Sequence, residues 1–137
     1  LIASDGKIKV ADFGMASMLE HTGENEVRGT LAYIAPELLL GQHPTESSDL
    51  FSVGATLLEM LTGRPAFAGA DEGAVVDAVL HHDPLPMLQS VDASPRTRRL
   101  VQMLLKKKPE ERYASIDVCC ATWRWCSVPK AVRLAWT

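Results

Sequence analysis

The segment from Ser47 to Leu61 limits the fold more than any other. Leu50, Phe51, Val53, Ala55, Leu57, Leu58, Met60 and Leu61 fall nearly all round a helical wheel. A helix without a polar face belongs in the middle of a protein, since an exposed side would leave apolar surface in water. Ser47 or Ser48 offers a cap, and Asp49 suits the positive end of the helix dipole. Gly63 gives a left-handed stop and Pro65 keeps the helix from resuming. The rest of the chain must surround this helix. A short helix opens at Pro36 and stops at Gly41, and another spans residues 74–82, closed by Pro84 and Pro86. A third starts at Ser94-Pro95, with Leu100, Val101, Leu104 and Leu105 as its buried face, and a last one runs from Ser115 through Ala121. Ahead of them, Leu1-Ile2-Ala3 and Ile8-Lys9-Val10 flank a turn containing Asp5-Gly6, a pair suited to positive φ. The expected fold is mainly α with a short β-hairpin.

Composition narrows the function classes. The 137 residues are 47% hydrophobic and 23% charged, which suits one globular domain. A net charge of −3 argues against a nucleic-acid partner, which a basic surface would serve. Cys119, Cys120 and Cys126 are too few and too clustered for a disulfide framework or a complete zinc site. Cys119 and Cys120 read as reduced core thiols of an intracellular, cytoplasmic chain. No apolar run is long enough for a membrane span, and Asp5, Lys7 and Lys9 interrupt the apolar start that a signal peptide would need. His81 and His82 are helix neighbours pointing about 100° apart, a poor pair of metal ligands.

Two short motifs carry the chemistry. Asp12-Phe13-Gly14 follows the hairpin, and Ala35-Pro36-Glu37 comes about two dozen residues later, with Gly29-Thr30 and Tyr33 just before it. This pairing at this separation brackets a protein-kinase activation segment, here residues 12–37. The chain resembles the C-terminal lobe of a serine/threonine protein kinase over residues 1–123, with helices in 47–123. Residues 124–137 form a C-terminal extension. In that family the whole domain is α+β and two-lobed. The resemblance implies that this chain starts just after the catalytic loop, without the glycine-rich loop, the ATP-anchoring lysine or the catalytic aspartate.

The resemblance also assigns roles. Asp12 is implied as the catalytic Mg²⁺ ligand, and a hard carboxylate suits a cation that bridges ATP phosphates. Phe13 and Gly14 complete the cofactor-binding motif, with ATP and Mg²⁺ as cofactors. Thr30 is implied to orient the catalytic loop and favours Ser/Thr over Tyr specificity. Leu31, Tyr33 and Glu59 are implied as substrate-binding residues. Met15, large and unbranched, goes with a preference for serine acceptors over threonine. Glu26 stands where many relatives carry a phosphorylated residue, so it is a candidate permanent substitute for that phosphate; Thr22 is the rival regulatory site.

Three further positions are structural in the resemblance. Asp49-Leu50-Phe51-Ser52-Val53-Gly54 is similar to the family's Asp-x-Trp-Ser-x-Gly, with Asp49 bonding the catalytic loop. Lys108-Pro109-Glu110-Glu111-Arg112 is similar to Asp-Pro-x-x-Arg, with Arg112 pairing Glu37. Apart from the resemblance, Lys106, Lys107 and Lys108 read as a solvated helix end. The function implied is transfer of the ATP γ-phosphoryl group to Ser/Thr hydroxyls of protein substrates. The rival is a pseudokinase scaffold that acts by protein binding.

Overall fold

Leu50, Phe51, Ala55 and Leu58 are all but sealed from solvent, and the helix carrying them runs over Glu46–Thr62. In this computed structural model the described residues are 31–123. Among them the helices run α1 (Pro36–Leu39), α2 (Glu46–Thr62), α3 (Glu72–His81), α4 (Pro95–Leu104) and α5 (Ile116–Trp123). Two 3₁₀ turns, Leu85–Ser90 and Pro109–Glu111, lie on either side of α4. Among the described residues there is no strand, and the expected hairpin over residues 1–10 lies outside them.

The helix ends follow local chemistry, with shifts of one or two residues from the sequence expectation. α2 is capped by Thr45 and not by Ser47 or Ser48. Ser48 instead works from the third helical position, its Oγ accepting the Thr45 backbone N–H at 3.2 Å in a capping box. At the other end Gly63 takes φ 70°, and its N–H reaches the Glu59 carbonyl at 2.7 Å. α3 starts earlier than expected because the Asp71 carboxylate accepts from the Ala74 N–H at 2.8 Å. α4 begins as read, with Ser94 Oγ accepting from Thr97 N–H at 3.1 Å and Pro95 in the first turn. α5 starts at Ile116, whose N–H is taken by the Glu46 carboxylate, and runs on to Trp123.

The prolines after α3 do more than stop a helix. Pro86 fits the first turn of the 3₁₀ segment, which buries Leu88. Arg98 then ties this turn to α4: Nη1 donates to the Leu88 carbonyl, Nη2 to Val91 at 2.6 Å and Nε to Ala93 at 3.1 Å. A guanidinium offers several donors in one plane, so one side chain satisfies three loop carbonyls.

The core lies between α2 and α4, with α3, Phe67 and Leu88 closing it. Phe51 and Phe67 stack with ring centroids 5.8 Å apart and planes 9° from parallel. Cys119 is buried, but Cys120 is exposed on the other face of α5, which corrects the reading of both as core thiols. Adjacent helix residues point in different directions, so only one of the pair can face the core.

Gly54 sets the closest approach between α2 and α4. A Cβ there would sit 2.7 Å from Leu104 Cβ and 3.1 Å from Leu105 Cδ2. Leu104 Cβ is fixed to its backbone and cannot rotate away, so Gly54→Ala should force the helices apart. The expected cost is about 1–3 kcal/mol, read as a lower midpoint in urea with little change in slope. An unchanged midpoint would disprove the close contact.

Candidate functional site

Of the residues assigned roles from sequence, Leu31, Tyr33, Glu37, Asp49, Glu59 and Arg112 are described. Asp12, Phe13, Gly14, Met15, Thr22, Glu26 and Thr30 lie outside the described residues. The described ones fall into two groups, one built on Tyr33 and one on Arg112.

Tyr33 is held to α2 at both ends. Its hydroxyl donates to the Glu59 carboxylate, and its carbonyl accepts from Ser52 Oγ at 2.7 Å. Ser52 and Glu59 are seven residues apart, two helical turns, so they share one face of α2. Burial pushes the Tyr33 phenol up, and the hydrogen bond and negative charge of Glu59 push it further, to about 12. The phenol therefore stays a donor throughout the physiological range. Leu31 is buried in the core cluster, while Tyr33 and Ile34 pack against it half-exposed. A backbone bond from Ile34 N–H to the Leu31 carbonyl at 3.2 Å turns the chain into the proline that opens α1.

Ser52 was missed as a site residue, although its spacing from Glu59 on an evident helix was the available signal. Asp49 is exposed on α2, in line with Val53, Thr56 and Met60 at successive turns. Val53 is 41% exposed and Met60 47%. The central helix thus keeps one open stripe among the described residues, where the sequence led us to expect burial nearly all round.

Arg112 joins four pieces of chain. Nη1 donates to Glu37 Oε1 at 2.6 Å and to the Ser47 carbonyl at 2.8 Å. Nη2 donates to Glu37 Oε2 at 2.8 Å and to the Lys107 carbonyl at 3.0 Å, and Nε donates to Lys106 at 2.8 Å. Both side chains are almost fully buried, and the guanidinium lies 5.0 Å from the Phe51 ring centroid. The fork geometry matches the carboxylate in a bidentate pair. Burial works to raise the Glu37 pKa, but the Arg112 bonds and charge, its own backbone N–H and Ser48 outweigh it and hold the carboxyl below its ordinary value.

The lysine run differs from the expected solvated helix end. Lys106 and Lys108 do reach Glu111 on the surface, at 3.8 and 4.0 Å. Lys107 turns inward instead, because that position faces the Phe51–Phe67 stack. Among the described residues no group of three or more His, Cys, Asp or Glu side chains is gathered for a metal. His81 Nδ1 lies 2.9 Å from Asp77 Oδ1, an exposed pair within α3.

Comparison with known proteins places this geometry. Residues 1–124 match the protein kinase domain family, and the chain belongs to that family. It is 36% identical over 118 residues to the serine/threonine-protein kinase PknA of Mycobacterium tuberculosis, covering 84% of this chain and 27% of PknA. It is 35% identical over 119 residues to PknB of Mycolicibacterium smegmatis, covering 82% of this chain and 19% of PknB. A plant relative, AtPK1/AtPK6 of Arabidopsis thaliana, is 36% identical over 116 residues, covering 84% and 24%. The chain thus spans about a quarter of these relatives. The described part is the helical portion of a kinase domain.

Two outcomes follow from the buried pair. Arg112→Ala strands the Glu37 carboxylate and should cost about 3–5 kcal/mol, whereas exposed Arg99→Ala should stay within about 0.5 kcal/mol. Thermal melts of both variants decide this, and equal midpoints would refute it. The depressed Glu37 pKa means that its contribution is complete above the ordinary carboxyl range and is lost as pH falls through the folded value. Stability should therefore drop on acidification below about pH 4.5. In Glu37→Gln this part of the acid dependence should be missing, measurable by urea denaturation at several pH values.

Proposed function

We propose that this chain is part of the catalytic domain of a protein serine/threonine kinase, which transfers the γ-phosphoryl group of ATP to Ser or Thr hydroxyls of proteins. The observation that carries the reading is the two-point attachment of Tyr33 to α2, next to the ion-paired Ala35-Pro36-Glu37 turn. A segment that receives a substrate peptide must be rigid, because catalysis of phosphoryl transfer is mostly positioning. Relatives named as serine/threonine-protein kinases support the same reading over a scaffold.

In this proposal Tyr33, Leu31 and Glu59 bind the acceptor peptide. The second lone-pair side of the Glu59 carboxylate suits a basic substrate residue. Asp12 holds Mg²⁺, and its hard oxygen donors fit that ion. Phe13 and Gly14 belong to the ATP-binding motif, and Thr30 steadies the catalytic loop. Met15 directs a preference for Ser over Thr. Glu26 acts as a constant substitute for an activating phosphate, with Thr22 as the phosphorylated alternative. Asp49 and its exposed neighbours Val53, Thr56 and Met60 form the side of α2 that the rest of a kinase domain covers. No helix among the described residues is long and apolar enough to cross a membrane.

The 137 residues contain no His-Arg-Asp catalytic loop and no glycine-rich phosphate loop. By themselves they should transfer no phosphate from ATP to a peptide, since the base and the phosphate clamp are both needed. Transfer by the pure chain that disappears in Asp12→Ala would overturn this.

In a complete kinase domain carrying this lobe, matched peptides should show Ser phosphorylated faster than Thr. Glu59→Gln should raise KM for peptides with a basic residue near the acceptor while leaving kcat near its original value. Failure of both readouts, with the domain folded and active, would remove the substrate assignment.

A further inference from the structure

The large apolar side chains left open in this lobe gather on its last helix. Among the described residues, Val53 and Met60 belong to the exposed stripe of α2, and Leu40 follows α1. Ile116 (47% exposed), Val118 (48%) and Trp123 (37%) all lie on α5. This helix packs on α4 and buries Cys119. Ile116, Cys120 and Trp123 recur at i, i+4 and i+7, so they form one exposed ridge along it. Asp117 borders that ridge, and the last turn of α5 holds no basic residue. The Glu46 carboxylate, which accepts the Ile116 N–H, adds a second negative charge at the same end. A contiguous apolar ridge with a charged border is the mark of a surface that another element covers.

The sequence after Trp123 supplies a matching element. Residues 124–137 lie outside the described residues. On a helical wheel Val128, Ala131, Val132, Ala135 and Trp136 fall on one side, with Leu134 at the edge. Lys130, Arg133 and Thr137 fall on the other. Ser127 suits the cap of such a helix, and Pro129 suits its first turn, where a missing N–H costs nothing. The charge is also complementary. Arg124, Lys130 and Arg133 occur in this stretch without an Asp or Glu, so the acid excess behind the net charge of −3 lies in the residues before it.

We propose that residues 128–137 form an amphipathic helix that folds back antiparallel onto α5 and covers the Ile116–Cys120–Trp123 ridge. The reach is sufficient. Two antiparallel helices need a loop of about 2–5 residues, which 124–127 provide. At 1.5 Å per residue a helix over 128–137 spans about 15 Å, against about 12 Å for α5. Antiparallel register sets Val128 opposite Trp123, Val132 opposite Cys120 and Trp136 opposite Ile116. It also brings Arg133 to the level of Asp117. The occupant is this segment rather than a second copy, because the chain already tethers it beside the ridge at high effective concentration.

Cys120 reports on the cover, being an exposed thiol on the ridge itself. The 137-residue chain is treated with iodoacetamide, and alkylation is followed at Cys120 by peptide mass spectrometry, apart from Cys126. Val132→Asp should speed the reaction on the order of tenfold, and Arg133→Glu several-fold, since both undo the docked face or its charge match. Thr137→Asp, on the polar side, should react as the parent does. Buried Cys119 should stay unreactive throughout, which shows that the lobe beneath remains folded. Cys120 rates in Val132→Asp and Arg133→Glu equal to the parent's would overturn the proposal. So would protection that vanishes over about a hundredfold dilution with loss of a dimer in sedimentation, which assigns the ridge to a second copy. Protection that arises only when vesicles of anionic lipid are added would assign it to a membrane surface and overturn it equally.

Discussion

The guanidinium of Arg112 is the interaction on which the described fold depends most. It is a buried charge, and a buried charge is tolerated only when paired and fully bonded. Here a carboxylate neutralises it and three carbonyls occupy the remaining donors. Those partners come from α1, from the start of α2 and from the loop after α4. One side chain therefore fixes the relative placement of segments more than sixty residues apart. The desolvation cost makes the arrangement all-or-none, because losing any one segment leaves a polar group unsatisfied inside the lobe.

From that point the placement of Tyr33 follows. Glu37 lies in the first turn of α1, and the residues just before it must run along α2 to reach it. α2 offers Ser52 and Glu59 on the facing side, and the two hydrogen bonds to Tyr33 set its backbone and its ring together. α2 itself is held from the opposite side by α4, at the close distance that Gly54 permits. The Tyr33 segment is held in place because the helix beneath it is held on both sides.

Aromatic stacking and charge meet in the same small region. The Phe51 ring has the Arg112 guanidinium at 5.0 Å and the Lys107 ammonium at 5.9 Å. Burial is the main influence that lowers the Lys107 pKa, and the like charge of Arg112 adds to it while Asp83 opposes it. Arg112 has Glu37 to compensate it; the Lys107 ammonium has a carbonyl and ring faces. That asymmetry makes one cation a fixed strut and the other a titratable group.

The helices were legible in the sequence because their signals are local. The apolar wheel of α2, the Ser94-Pro95 start of α4 and Gly63 as a stop depend only on residues within a few positions of each other. Motif resemblance named Glu37, Arg112, Tyr33 and Glu59, but periodicity alone linked none of them, being silent on contacts 26 or 75 residues apart. Thr45 in place of Ser47 or Ser48 was decided by backbone geometry, since three hydroxyl residues within four positions can all cap a helix. The inward turn of Lys107 was decided by tertiary structure outright. Three consecutive lysines carry the same local signal, and only the position of the Phe51–Phe67 stack and the end of α3 chooses which one is drawn in. The sequence by itself determined where helices form; the packing of α2 against its neighbours determined which polar side chains became buried partners, because burial energy depends on what lies opposite in space.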